Sequence, residues 1–275
     1  MCSQLQNQDH GIEIATEDSL DLELFREPPD YYPPSPPPTT EKYTLLSGHT
    51  VKVDLIGHSP LWGHYLWNAG RMISSYLETH PELVRGKKVL ELGAGAGLPS
   101  LVCAHLEAEC VVVTDYPDAA LIKNLKLNIE SFKNRAKETE RGDDVKSRIV
   151  AEGHCWGEDC QNILSHVAVP DGEKPGFDIL ILADLLFNHS EHEKLLATVQ
   201  RTLRKQEDAQ ALVFFTPYRP WLLEKDLMFF DKARDSGMNV EKILEEKVEK
   251  VMFEEDRGDE ELRKTIFGYI VRWEL

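Results

Sequence analysis

From about residue 43 onward, apolar positions alternate between two periods, and the switches between them divide the chain into elements. "YTLLSGHTVKVDLIG" (43–57) predicts two short strands around a Ser-Gly turn. "SPLWGHYLWNAGRMISSYLETH" (59–80) predicts a helix, with Ser59 as its cap and Pro60 at the first helical position. Trp62, Leu66, Ala69 and Ile73 would share its apolar face. Next comes the apolar strand "KKVLELGAGAG", ending in glycines, and then the helix "LPSLVCAHLEA". "CVVVTDYP" predicts a second buried strand and "DAALIKNLKLNIESF" a second helix, with "KNRAKETERGDDVKS" as a solvated connection. "RIVAEGHCWG", "FDILILADLLF" and "AQALVFFTPY" predict further strands, and "SEHEKLLATVQRTLRK" and "WLLEKDLMFFDKARDSG" the helices after the last two. The C-terminal "NVEKILEEKVEKV" and "TIFGYIVRWEL" predict long strands joined by a solvated, charged tip, "EEDRGDEELRK".

Strands separated by helices require crossover connections, hence a parallel sheet covered on both faces. The final pair, joined as a hairpin, must be mutually antiparallel. The expected fold is a doubly wound, Rossmann-like α/β sheet with one antiparallel strand near an edge. A ligand belongs at the carboxyl ends of its strands.

The first 42 residues have a different character. They carry nine acids against Arg26 and Lys42 and run into "PPDYYPPSPPP", which no helix interior or central strand accommodates. Such a segment has too little apolar surface to offset its ordering entropy. The expected organisation is an acidic, disordered leader over 1–40, with a short amphipathic piece at "DLELF", and one domain over 41–275.

Net charge is −17, from 31 basic and 48 acidic residues. This disfavours direct nucleic-acid binding, which needs Lys and Arg to displace phosphate counterions, and it fits a partner that is locally basic. No secretory leader is visible, and the most apolar stretch, eleven residues containing Asp178 and Asp184, is too short to span a bilayer. The five cysteines lack zinc-ligand spacing and read as reduced thiols, which points to the cytoplasm.

Gly93, Gly95 and Gly97 follow an apolar strand and precede a helix, and Asp115 closes the next strand 18 residues after Gly97. Glycines let backbone approach a ligand closely, and a carboxylate at that strand end can accept both hydroxyls of a ribose. A nucleoside-containing cofactor follows. The spacing is G-x-G-x-G rather than the dinucleotide G-x-G-x-x-G, no P-loop lysine is present, and Glu91 stands two residues before the first glycine. An acid there would repel a pyrophosphate but suits a ligand carrying an ammonium and a sulfonium, namely S-adenosyl-L-methionine.

"LWGHYLWNAG", "VLELGAGAGLPSL", "VTDYP", "CWGED" and "ADLLFNHSEHEKLL" together resemble the seven-stranded S-adenosylmethionine-dependent methyltransferases over residues 43–275. More narrowly they resemble the lysine methyltransferase branch known as methyltransferase family 16. "SPLWGHYLWNAG", "DLLFNHSEHEKLL" and "TPYRPWLLEKDL" are similar to the fungal elongation factor methyltransferases within it. The resemblance implies a protein substrate, translation elongation factor 1-alpha, modified at its N-terminal α-amine and an adjacent lysine by a monomeric enzyme. It also implies cofactor contacts from Trp62, from Gly93, Ala94 and Gly95 at the methionine end, from Asp115 at the ribose, from Trp156 beside the adenine and from Ala183. Trp62 and Trp67 could instead be core anchors of the helix.

Methyl transfer to nitrogen needs a neutral amine held in line with the methyl group. A carboxylate orients the lone pair and an aromatic walls the channel and tolerates a cation. Asp184 and Phe187 begin D-x-x-F and match the family's acid-x-x-aromatic motif, where tyrosine is commoner, so Phe187 has no hydroxyl to contribute. Asp184 is expected to orient the amine; the alternative is that it only closes the strand. Asn188 and His189 are expected at the substrate mouth, with Tyr218 and Arg219 of "TPYRP" as further substrate contacts. His189 and His192 stand at i, i+3 beside capping residues, which is not a metal pattern, and no metal is expected. Two rival functions remain at this level: a small-molecule, nicotinamide-like N-methyltransferase and a non-catalytic cofactor-binding scaffold.

Overall fold

The computed structural model describes residues 36–138, 147–170 and 172–275. The expected leader, including "DLELF", lies outside them up to residue 35. A two-stranded antiparallel ribbon opens the fold, β1 (Thr39–Thr44) with β2 (Thr50–Leu55). The expected domain boundary at 41 therefore falls inside β1.

Seven further strands form one mixed sheet: β3 (Lys88–Leu92), β4 (Cys110–Asp115), β5 (Arg148–Gly153), β6 (Ile179–Ala183), β7 (Gln210–Phe215), β8 (Met238–Lys247) and β9 (Thr265–Trp273). Their order is β5-β4-β3-β6-β7-β9-β8. The first five are parallel, and β9 runs antiparallel between β7 and β8. The doubly wound sheet with its antiparallel C-terminal strand is as the periodicity predicts. The chain winds outward from β3 through β4 to β5, then returns to β6 on the other side. This creates a topological switch point between β3 and β6, where α/β sheets place ligands.

Side chains alternate across each strand, so continuous apolar runs serve two cores. Ile179 and Ile181 pack on one face with α1 (Asn68–Thr79), α2 (Leu98–His105) and α3 (Ala119–Glu138). Leu180 and Leu182 pack on the other with α4 (Gln161–Leu164), α5 (His192–Thr202) and α6 (Leu223–Asp235). Gly237, at φ 79°, ends the α6 turn as expected.

Two expectations change. The helix anticipated from Ser59 begins at Asn68 instead. Ser59 does not cap it; its Oγ accepts the amide of Leu61 at 3.1 Å in a local turn, and Trp62 adopts φ 63°. Ala69 and Ile73 are buried on α1 as expected, while Trp62 and Leu66 belong to the loop before it. That loop is held by tertiary contacts, which the helical period could not register.

The charged connection between β8 and β9 is the second. It contains a short helix, α7 (Glu260–Lys264), and is not merely solvated. Phe253 folds back so that its ring lies 5.2 Å from Tyr65 and 5.8 Å from Trp67. Arg263 is buried and donates to the Phe253 carbonyl at 2.7 Å. Among the described residues no helix is long and apolar enough to cross a membrane.

Candidate active site

A cavity of about 640 Å³ opens at the carboxyl ends of β3, β4, β5 and β6. Four different strand exits and the loop before α1 supply its walls, so residues far apart in sequence meet only because the strands are parallel and in register.

The floor is the glycine turn. Gly93, Ala94 and Gly95 all face the cavity. Gly93 and Gly95 adopt φ 59° and 56°, a region that strains any residue with a Cβ. A Cβ on Gly93 would lie 2.6 Å from Leu185 Cδ2, whereas one on Gly95 would meet nothing within 4 Å and enter open space. The turn is fixed from outside: Ala94 N–H donates to the Thr114 carbonyl at 2.9 Å, and Asn128 Nδ2 donates to the Ala96 carbonyl at 3.0 Å.

Asp115 ends β4 and reaches back, its Oδ2 accepting Gly95 N–H at 2.6 Å and its Oδ1 accepting Tyr116 N–H at 2.7 Å. Each oxygen retains a second lone pair. Burial raises its pKa, opposed by those two amides. Trp156 follows β5, and Trp62 leans over the cavity with half of its surface exposed. Ala183 completes the wall at the end of β6. All seven residues expected at the cofactor thus converge on one cavity.

Asp184, next along, is buried and adopts φ 55°. Its Oδ1 accepts Thr216 N–H at 2.7 Å, and its Oδ2 accepts Ala69 N–H at 2.9 Å and the Tyr218 hydroxyl at 3.3 Å. Three of about four acceptor positions are thereby filled, and the carboxylate serves as a long-range cap for α1. Burial pushes its pKa up to about 7 despite these donors. Phe187, 39% exposed, and Asn188 line the mouth.

Three expected substrate contacts lie elsewhere. Tyr218, His189 and Arg219 are not in the cavity wall. Tyr218 sits behind Asp184, with its ring 5.1 Å from Trp67. His189 Nε2 pairs with Asp226 Oδ1 at 2.6 Å, and Arg219 donates to the Phe187 carbonyl at 2.5 Å.

Several lining residues had carried no site assignment. Glu91, noted in the sequence for its charge, is buried in the floor, where its carboxyl accepts from Ser100 N–H at 3.0 Å and from the Ser100 hydroxyl. Burial raises its pKa to about 8. Trp67 also lines the cavity and donates from Nε1 to the Trp62 carbonyl at 3.2 Å. Tyr65, Glu158, Glu191 and Lys194 line it too, and nothing in their spacing signalled this.

The residues fit a compact cationic nucleoside ligand. The volume lies within the roughly 300–1,000 Å³ usual for small-molecule sites. Gly95 leaves open space, Trp156 offers a flat apolar face, and three carboxyls with raised pKa values face or floor one cleft. A cation relieves the cost of ionising such groups. Fold and site together define a Rossmann-like, nucleoside-cofactor-binding enzyme.

Comparison with known proteins narrows the class. Residues 57–235 match the family described as lysine methyltransferase. A relative from Neurospora crassa, "Protein N-terminal and lysine N-methyltransferase efm7", is 51% identical over 94% of this chain and 92% of its own length. Proteins of the same name from Emericella nidulans and Schizosaccharomyces pombe are 44% and 43% identical, over 91% and 93% of this chain and 95% and 97% of theirs. The chain belongs to the lysine methyltransferase family. It is a methyltransferase of protein substrates, and its methyl donor is S-adenosyl-L-methionine.

Proposed function

We propose that the protein methylates the N-terminal α-amine and an adjacent lysine of translation elongation factor 1-alpha, acting as a monomer in the cytoplasm. Its relatives of matched length carry N-terminal and lysine N-methyltransferase names. The observation that carries the reading is the position of Asp184, a buried carboxyl at the cavity wall with an acceptor position left open, followed by an exposed Phe187 at the mouth.

S-adenosyl-L-methionine supplies an electrophilic methyl group on a sulfonium. In this reading Gly93, Ala94 and Gly95 bring backbone against its methionine end. Asp115 accepts the ribose hydroxyls with its remaining lone pairs, and Trp156 stacks beside the adenine. Trp62 closes over the ligand, and Ala183 is small enough to leave room beside the reacting centre. Glu91, ionised by the approach of positive charge, balances it.

The acceptor must arrive neutral. An α-amine titrates at about 7.7–8.0 and a lysine at about 10.4, so the lysine must lose a proton on entry. Asp184, at about 7, is poised near working pH to accept a hydrogen bond from the amine and orient its lone pair. Phe187 walls the channel and stabilises a cation on its face. Asn188 offers polar contacts at the rim. A mouth rimmed by the exposed side chains of Phe187 and Trp62 suits an extended peptide better than a small molecule, which a closed pocket would enclose.

The test is direct. Incubate the protein with labelled cofactor and either purified elongation factor 1-alpha or whole-cell extract, and locate the label by mass spectrometry. Label on the factor's first residue and a nearby lysine is expected; label confined to small molecules would overturn the reading.

A further inference from the structure

Behind the mouth lies a buried group that the reaction scheme does not use. Asp226, in the first turn of α6, is 5% exposed, and burial raises its pKa against the opposing influence of His189 and Arg219. A carboxyl in so apolar a place costs stability unless its partners repay it. Its hydrogen-bond partner is His189 Nε2 at 2.6 Å.

His189 and Arg219 both act on one short segment. His189 follows Phe187 and Asn188 directly, and Arg219 Nη2 donates to the Phe187 carbonyl at 2.5 Å. A third contact closes the brace: His192 Nε2 bonds the Leu186 carbonyl at 2.8 Å, and its ring stands edge-on to His189 at 5.5 Å and to Phe229 at 5.6 Å. Residues 186–189 are thus held by side chains from α5, α6 and the loop after β7. The free face of this segment is the Phe187 and Asn188 wall of the cavity.

We propose that Asp226 is a positioning residue for the acceptor amine: through His189 it holds Phe187 and Asn188 at the mouth of the methyl-donor cavity, on a segment that Arg219 braces at the Phe187 carbonyl. Catalysis by orientation is sensitive to small displacements, so loosening this wall should cost acceptor recognition while leaving the cofactor end intact. Of the named cofactor residues, Gly93, Gly95, Asp115 and Trp156 lie at other strand exits, and the hydrogen bonds of Asp115 and of Asp226 go to separate partners. The inference goes beyond the proposed substrate and needs only that the cavity binds the methyl donor.

The experiment compares wild type with Asp226→Asn, which keeps the volume, His189→Phe and the surface change Arg219→Gln. Hydrogen–deuterium exchange, with S-adenosyl-L-methionine bound, should show amides 186–190 exchanging at least tenfold faster in Asp226→Asn, with 93–97 unchanged. Calorimetry should give a cofactor Kd within twofold of wild type for all three. With purified elongation factor 1-alpha as acceptor, KM for the acceptor should rise at least fivefold in each variant. The Asp226→Asn, His189→Phe double change should add little to either single one, because both break the same brace. If wild type fails to methylate that acceptor, the substrate reading falls and the exchange result alone decides this proposal. Unchanged exchange at 186–190, or a cofactor Kd that rises as much as acceptor KM, would overturn it; His189→Phe, at a half-buried position, keeps the test valid should Asp226→Asn misfold.

Discussion

The carboxylate of Asp184 accepts the backbone amide of Ala69 at 2.9 Å, joining the end of β6 to the first turn of a helix 115 residues earlier. One side chain therefore caps α1 and borders the cavity.

Asp184→Ala should for that reason do more than slow turnover. It strands the amides of Ala69 and Thr216 in a buried site, at a cost of about 2–4 kcal/mol. Thermal denaturation should show a clear drop in Tm, and methyl incorporation should fall sharply. Lost turnover at unchanged Tm would confine Asp184 to the chemistry.

Glu91 and Asp184 set a pH dependence. Burial raises them from 4.5 to about 8 and from 3.8 to about 7. The folded chain thus holds protons that the unfolded chain has released, so stability is greatest below the unfolded values and is lost as pH rises through about 7 and 8. Calorimetric Tm of the cofactor-free protein should fall across that window, and Glu91→Gln should flatten its upper part. The same substitution should weaken cofactor binding, because the ionised carboxyl is what a cation favours. Wild-type cofactor affinity should rise with pH toward about 8; a flat affinity profile would remove Glu91 from this role.

Two glycines separate fold from ligand. Alanine at either position carries the strain of a left-handed backbone, about 1–2 kcal/mol. Gly93→Ala also collides with Leu185 and approaches the Trp156 ring to 3.3 Å, so both stability and cofactor binding should suffer. Gly95→Ala meets only cavity space, so its extra methyl should raise the cofactor Kd with little further loss of Tm. Equal effects in melting and titration experiments on both variants would contradict this division.

Asp115→Ala removes the acceptor for Gly95 N–H as well as the proposed ribose partner. Cofactor Kd should rise at least tenfold, about 1.4 kcal/mol. Calorimetry finding it unchanged would exclude Asp115 from the ribose.

Phe253→Ala should free the β8–β9 connection from Tyr65, Trp67 and Tyr218, whose rings lie 5.2, 5.8 and 5.9 Å away. A loss of about 1–3 kcal/mol is expected. Limited trypsin digestion should cut faster after Arg257; an unchanged cleavage rate would mean that the ring does not anchor the segment.

Much of this was legible in the chain because local rules write themselves into local patterns. Apolar runs of strand length, glycines where φ must be positive, and an acid closing the next strand sufficed for the parallel sheet and for the glycine turn and Asp115 that line its cavity. The family-specific stretches pointed to Trp62, Trp156, Ala183, Asp184 and Phe187. Tertiary structure decided what depends on long-range contact. The start of α1 was invisible because its cap comes from Asp184, and the charged tip looked solvated because Phe253 finds its partners far away in sequence. His189 and Arg219 stand next to the mouth in sequence but brace it from behind, since Asp226 and the Phe187 carbonyl take their polar groups. A sequence records which groups must be satisfied; only the packed chain determines which partner satisfies each.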